Sequence, residues 1–296
     1  MIFNFIGQQF KYMTKMRIVI IATSLMLLFG GKFIMAQTIE PKEDAILQIK
    51  YEKTVSHDTV GHSFSPTSPM ILRIGRTSSM FYPEKLMFTD SMDYYRPDVR
   101  LISLDEIIKD GGKAISKLKG WENEYLFRNV HNNETLVCQS FASYHIGYTE
   151  KTELPEWTVH NDSIKNILGY ECIYATCTYR GRNWKAWFTP EIPLQEGPWK
   201  LAGLPGVVLK AYDSGRQYVF EATSISTYAL PQVGLFIYNR KHLDILKDRQ
   251  TYLRALYYLR LRRRFMNEVS LFTDFKPSKT DRIPRYDYEE TDYPHE

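Results

Sequence analysis

The stretch that decides the fold runs from Gly169 to Thr189, GYECIYATCTYRGRNWKAWFT. Two runs rich in β-branched and aromatic residues flank the polar turn Arg180-Gly181-Arg182-Asn183. That arrangement predicts an antiparallel hairpin. With period two, Tyr170, Cys172, Tyr174 and Thr176 take one face of the first strand, and Ile173, Ala175, Cys177 and Tyr179 the other. In the return strand Trp184, Ala186 and Phe188 share a face and Trp187 points away. Cys172 and Cys177 then lie on opposite faces, ~16 Å apart at ~3.3 Å per residue. A disulfide needs Cα atoms within ~7 Å. Any single intrachain bridge therefore uses Cys138, with Cys172 or with Cys177, and leaves one thiol free.

Immediately downstream lies PLQEGPWKLAGLPGVVLKA, Pro193 to Ala211. Its first half is a loop dense in Pro and Gly, yet Trp199, Leu201 and Leu204 need burial. Pro205 pushes Leu204 toward an extended backbone. Pro205-Gly206 fits a type II turn, which requires φ > 0 at the glycine. Gly197, Pro198 and Gly203 supply further bends and close backbone approaches. The stretch reads as a stiff, packed loop whose work is structural, holding the curvature of a sheet. Trp187 and Trp199, with Lys200 and Leu204, are the candidates for an aromatic groove that takes peptides, glycans or lipids. Beyond it, VVLKAYD and QYVFEATSI predict another hairpin across Ser214-Gly215.

On the N-terminal side, Ala45–Ser56 alternates as a first strand, and His57–Pro69 reads as a loop. Met70–Pro83 reads as two strands about Gly75, and Ser103–Gly120 as a helix broken at Gly111-Gly112. A hairpin is expected around Asn132-Asn133. Residues 238–270 lack Pro and Gly and place Ile245, Tyr252, Leu256, Leu259 and Met266 on one stripe, so a long helix is expected there. Its end carries Arg260, Arg262, Arg263 and Arg264, a solvated basic end that the helix dipole favours. Residues 271–296 are polar, proline-punctuated and finally acidic, the composition of a disordered tail. The fold class is thus mainly β: a curved antiparallel sheet or incomplete barrel over 37–237, with a long C-terminal helix packed on it.

Lys11, Lys15 and Arg17 precede the apolar run Ile18–Phe29, and the small residue Ala36 follows. This is the pattern of a secretory signal over 1–36. Removing it leaves about 260 residues, enough for a large β domain. Aromatics are abundant, with 21 Tyr, 16 Phe and 5 Trp, and 44% of the chain is hydrophobic. The net charge of +4 does not point to nucleic acid, and no later segment is apolar enough to cross a membrane. The expected location is the periplasm or the cell exterior.

Residues 155–225 carry a longer signature. GYECIYATC, AWFTPEIP, GPWKLAGLPGVV and the strand that follows resemble the GLPGLI family of secreted proteins from Bacteroidota, with Val207-Val208 where that family has Leu-Ile. The resemblance implies export and a mainly antiparallel β fold. It assigns no catalytic residue, no cofactor and no metal.

Chemistry is sparse. His57, Asp58 and His62 are too few and poorly spaced for a firm metal site. Cys138 with His145 has no sign of an oxyanion hole beside it. None of the nucleophile-elbow, zinc-protease, P-loop or dinucleotide motifs occurs. The expected function is an exported, non-enzymatic binding or carrier protein of the envelope, its ligand hydrophobic or peptidic. Two alternatives stay open: a hydrolase with an unrecognised site, or a scaffold of an envelope assembly.

Overall fold

The computed structural model describes residues 43–59, 62–64, 67–87, 123–141, 144–234, 243–266 and 289–292. In chain order the strands are β1 (Leu47–Val55), β2 (His57–Thr59), β3 (His62–Phe64), β4 (Thr67–Ile74) and β5 (Ser78–Pro83). Then come β6 (Glu124–Asn129), β7 (Glu134–Phe141), β8 (Tyr144–Lys151), β9 (Thr158–Ile167), β10 (Tyr170–Tyr179) and β11 (Arg182–Thr189). The last are β12 (Val207–Asp213), β13 (Tyr218–Ser226) and β14 (Leu243–Ile245). A four-residue helical turn, α1, spans 84–87, and helix α2 spans Arg249–Met266.

Twelve strands form one sheet in the order β14-β8-β7-β6-β5-β4-β1-β13-β12-β11-β10-β9, while β2 and β3 pair as a separate hairpin. Strands that follow one another in sequence are mostly joined edge to edge, as short antiparallel connections favour. The strand pairs of this sheet are antiparallel except β14, which runs parallel to β8, with Leu243 opposite His145. The sheet is therefore mixed and open, with β14 and β9 at its two ends, and not the purely antiparallel sheet or incomplete barrel that alternation predicts.

The expected long C-terminal helix is also corrected. Residues 243–245 are strand, and α2 is 18 residues long. Asp248 sets its start: the Asp248 Oδ1 accepts from the Thr251 amide at 2.8 Å, which caps the first turn. Ile245, counted on the helical stripe, is instead half exposed on β14, while Tyr252, Leu253 and Leu256 are buried. The four arginines of the basic run belong to α2, but their side chains lie outside the described residues. So do most of the tail and the helix expected over Ser103–Gly120.

The other elements follow the sequence more closely, except that residues 57–69 hold β2, β3 and the start of β4 where a loop is expected. Apolar side chains of β1, β4 to β8, β10 to β13 and α2 form one core. Trp184, Phe188, Phe220, Ile49 and Tyr51 are almost fully buried there. Each such side chain contributes about 1.5–3 kcal/mol by leaving water.

Strict alternation fails in β10. Its register slips between Ile173 and Tyr174 against β9, and this bulge turns Cys172, Ala175 and Cys177 all toward the core. Cys172 and Cys177 thus share a face, contrary to the period-two reading. All three cysteines are buried, and none is in a disulfide. Cys138 lies on β7, separated from β10 in the sheet by seven intervening strands, β6, β5, β4, β1, β13, β12 and β11. The expected Cys138 bridge is not formed. Among the described residues no helix is long and apolar enough to cross a membrane.

Candidate functional site

The Pro/Gly loop between β11 and β12 is ordered by short-range closures. Amides of Leu194, Glu196, Ala202 and Gly206 each donate to the carbonyl two residues back. The closure from Gly206 to Leu204, at 2.8 Å, centres on Pro205 and replaces the expected type II turn. Gly206 is not in the left-handed region; Gly203 (φ 95) and Trp199 (φ 54) are. Gly206 is required for another reason: a Cβ there would stand 2.1 Å from the Thr189 carbonyl oxygen. A large aromatic at positive φ is a strained arrangement that its surroundings must hold. Trp199 is held by its ring contacts with Trp184 (5.6 Å) and Tyr179 (6.1 Å). Trp187 faces the other way and packs on Tyr174 at 5.1 Å, so the two tryptophans do not share a groove. Leu204 is core.

Next to Trp199, Lys200 is turned inward. Lys200 is 3% exposed, and its Nζ donates to Tyr148 Oη (2.7 Å), Glu150 Oε1 (2.6 Å) and Glu290 Oε1 (2.7 Å). Tyr148 and Glu150 come from β8; Glu290 belongs to residues 289–292, far along the chain. Arg249, the first residue of α2, donates to the other oxygen of Glu290 and to Asp292. Lys53 of β1 donates to Glu289. Arg180 bonds Glu150 at 3.0 Å and lies 3.2 Å from Glu153. Arg182 bonds Asp213 at 3.1 Å, Gln217 at 2.9 Å and the backbone carbonyl of Glu289 at 3.1 Å.

These side chains occupy core phases. On β1 the buried series is Leu47, Ile49, Tyr51, Lys53, Val55. Glu124 is in phase with Leu126, Glu150 with Tyr148, Arg182 with Trp184, and Asp213 with Ala211. A charge on a core phase needs a partner, since burying it alone is costly. This is the signal that sequence reasoning missed: five strands present a charged residue where alternation calls for an apolar one. Lys200 was legible only as a candidate lining residue of an aromatic groove.

Charge decides what the site accepts. The cations are Lys53, Arg180, Arg182, Lys200 and Arg249, and among the described residues Glu150, Glu153 and Asp213 bond to members of this set. Glu289, Glu290 and Asp292 add carboxylates to Lys53, Lys200 and Arg249. Burial pulls the Lys200 pKa down, but Glu290, Tyr148 and Glu150 outweigh it and hold the ammonium well above the lysine range. Burial likewise favours neutral Glu290, yet Lys200 and Arg249 keep its carboxyl below the ordinary value. Glu124, which accepts from Tyr252 Oη at 3.3 Å, behaves oppositely. Burial foremost, then the charge of Glu289, pushes it up to about 8.

Elsewhere, Ser140 and His145 form a buried cross-strand pair at 2.6 Å, and Cys138 sits opposite Gly147 on the same hairpin. Burial raises the Cys172 and Cys177 thiols to about 11 and about 12, so both stay protonated at neutral pH. Among the described residues no group of three or more His, Cys, Asp and Glu is placed to hold a metal ion. His57 and His62 lie on the β2–β3 hairpin.

Fold and site together define a mainly β protein with one open mixed sheet and a buried cation cluster filled by an acidic segment of its own chain. Residues 178–210, which include Arg180, Arg182 and Lys200, match a family described as "Protein of unknown function (Porph_ging)". No curated protein matches. Solved structures of PNGF-II in two crystal forms align with TM-scores of 0.44 and 0.43, at 17% and 19% identity, over 70% of this chain. The chain spans 32% of the PNGF-II chains, and this likeness carries no inference.

Proposed function

We propose that the protein is an exported, non-enzymatic binding protein of the cell envelope, and that it holds a peptidic ligand by its carboxylates at the Lys53–Lys200–Arg249 cluster. One observation carries this reading: three cations at most 15% exposed are satisfied by carboxylates of a remote four-residue segment. A protein that needed only stability would gain as much from apolar residues at these positions. Buried cations that converge on an extended acidic segment are instead the usual means of carboxylate recognition. The signal pattern of residues 1–36 and the resemblance to the secreted GLPGLI family support export. The Pro/Gly loop keeps its structural role, with Lys200 as the residue it presents.

Native mass spectrometry of the protein purified from its own envelope tests this. A fraction of the molecules should carry a second mass that fragments as peptide, and Lys53→Met/Lys200→Met should lose it. A wild-type protein without any bound species, or a species that the double variant retains, contradicts the reading.

A further inference from the structure

Residues 289–292, Glu-Glu-Thr-Asp, meet the site one residue at a time. Glu289 gives its carboxylate to Lys53 and its carbonyl to Arg182. Glu290 divides its two oxygens between Lys200 and Arg249. The Thr291 amide donates to the Arg180 carbonyl at 2.9 Å, and its hydroxyl donates to the Gly181 carbonyl at 2.9 Å. Asp292 takes the second arm of Arg249. The Arg180-Gly181 turn is fitted to this segment. A Cβ on Gly181 would stand 2.3 Å from Thr291 Oγ1 and 2.7 Å from the Asp292 amide nitrogen. The turn runs at φ 51 at Arg180 and φ 80 at Gly181, so a side chain at 181 would meet both the strained backbone and the docked segment.

Resting on the binding reading above, we propose that the ligand is an extended acidic segment of the pattern Glu-Glu-Thr-Asp, and that residues 289–292 are an internal copy which that ligand displaces. The second glutamate is the selective position. Both its oxygens face cations, so an amide there would turn a donor toward Lys200 or Arg249. The first glutamate uses one oxygen and tolerates Gln better. The single main-chain bond to Arg180 fixes the direction of the segment, as in strand addition at a sheet edge.

The test uses the full-length chain, with Glu289→Gln/Glu290→Gln/Asp292→Asn to weaken the internal copy. The probe is the capped peptide YEETDY, fluorescently labelled and followed by anisotropy. The triple variant should bind it at least tenfold more tightly than wild type. YEQTDY should bind at least tenfold more weakly than YEETDY, and YQETDY should lie between them. If the triple variant does not fold, Asp292→Asn alone serves, with a smaller gain over wild type. Equal binding to wild type and variant, or to YEETDY and YEQTDY, overturns the proposal. If native mass spectrometry still finds a bound peptide, only the pattern has failed. If it finds none, the binding reading fails as well.

Discussion

Lys200 carries an ammonium into the interior, where two carboxylates and a phenol surround it. Removing one partner of a buried ion pair leaves the others unpaired, at a cost of about 3–5 kcal/mol. Lys200→Met should therefore cost about that much in a urea melt, whereas a solvated lysine on a loop would cost within about 0.5 kcal/mol. Glu124 gives the site its response to alkali. Its folded pKa is raised from 4.5 to about 8, so its contribution to stability is present below the ordinary carboxylate pKa and is lost as pH rises through about 8. Glu290 has the opposite sign. Its folded pKa is lowered, so its contribution is present above the ordinary value and is lost on acidification. The melting temperature of the wild type should fall between about pH 5 and pH 8, and Glu124→Gln should flatten that decline while leaving the acid side unchanged. A wild-type decline retained in Glu124→Gln would place the titrating group elsewhere. At this scale the sequence held an unread signal, since Lys53 sits in the apolar phase of LQIKYEKTV. Which carboxylate meets it was not legible, because Glu289 is 236 residues away.

Among the elements, hairpins were legible because their turns and alternation are local. The β10 bulge was not, since it is a slip against β9 that no residue of β10 announces alone. The start of α2 was written in Asp248-Arg249-Gln250-Thr251, but the helix formers before it masked the cap. The Pro/Gly loop was legible as rigid and packed, while the reason for Gly206 was not: the constraint comes from Thr189, on the preceding strand. Gly206→Ala should then destabilise the protein by about 1–3 kcal/mol through overpacking, without any left-handed strain. A Gly206→Ala chain that melts within about 1 °C of wild type would show that the Thr189 carbonyl can move aside.

For the molecule as a whole, mainly β architecture follows from local alternation, but the openness of the sheet and the parallel pairing of β14 with β8 are long-range choices. The same is true of the site, which joins β1, β8, the β10–β11 turn, the Pro/Gly loop, α2 and residues 289–292. Acidic composition at the C-terminus reads as a solvated tail; three of those acids are instead spent on buried or half-buried cations. The ionic contacts at this site should make its docking salt-dependent only at its exposed end, Asp292 with Arg249, because the buried Lys200–Glu290 pair is poorly screened.

The central claim is that Lys200 and Glu290 act as one buried unit, and a double-mutant cycle tests it most directly. Urea unfolding of wild type, Lys200→Met, Glu290→Gln and the double variant gives the coupling energy. The account predicts a coupling of about 2 kcal/mol or more, with the double variant far more stable than the sum of the single losses implies. Additivity within about 0.5 kcal/mol would show that the acidic segment does not occupy the cation cluster in solution.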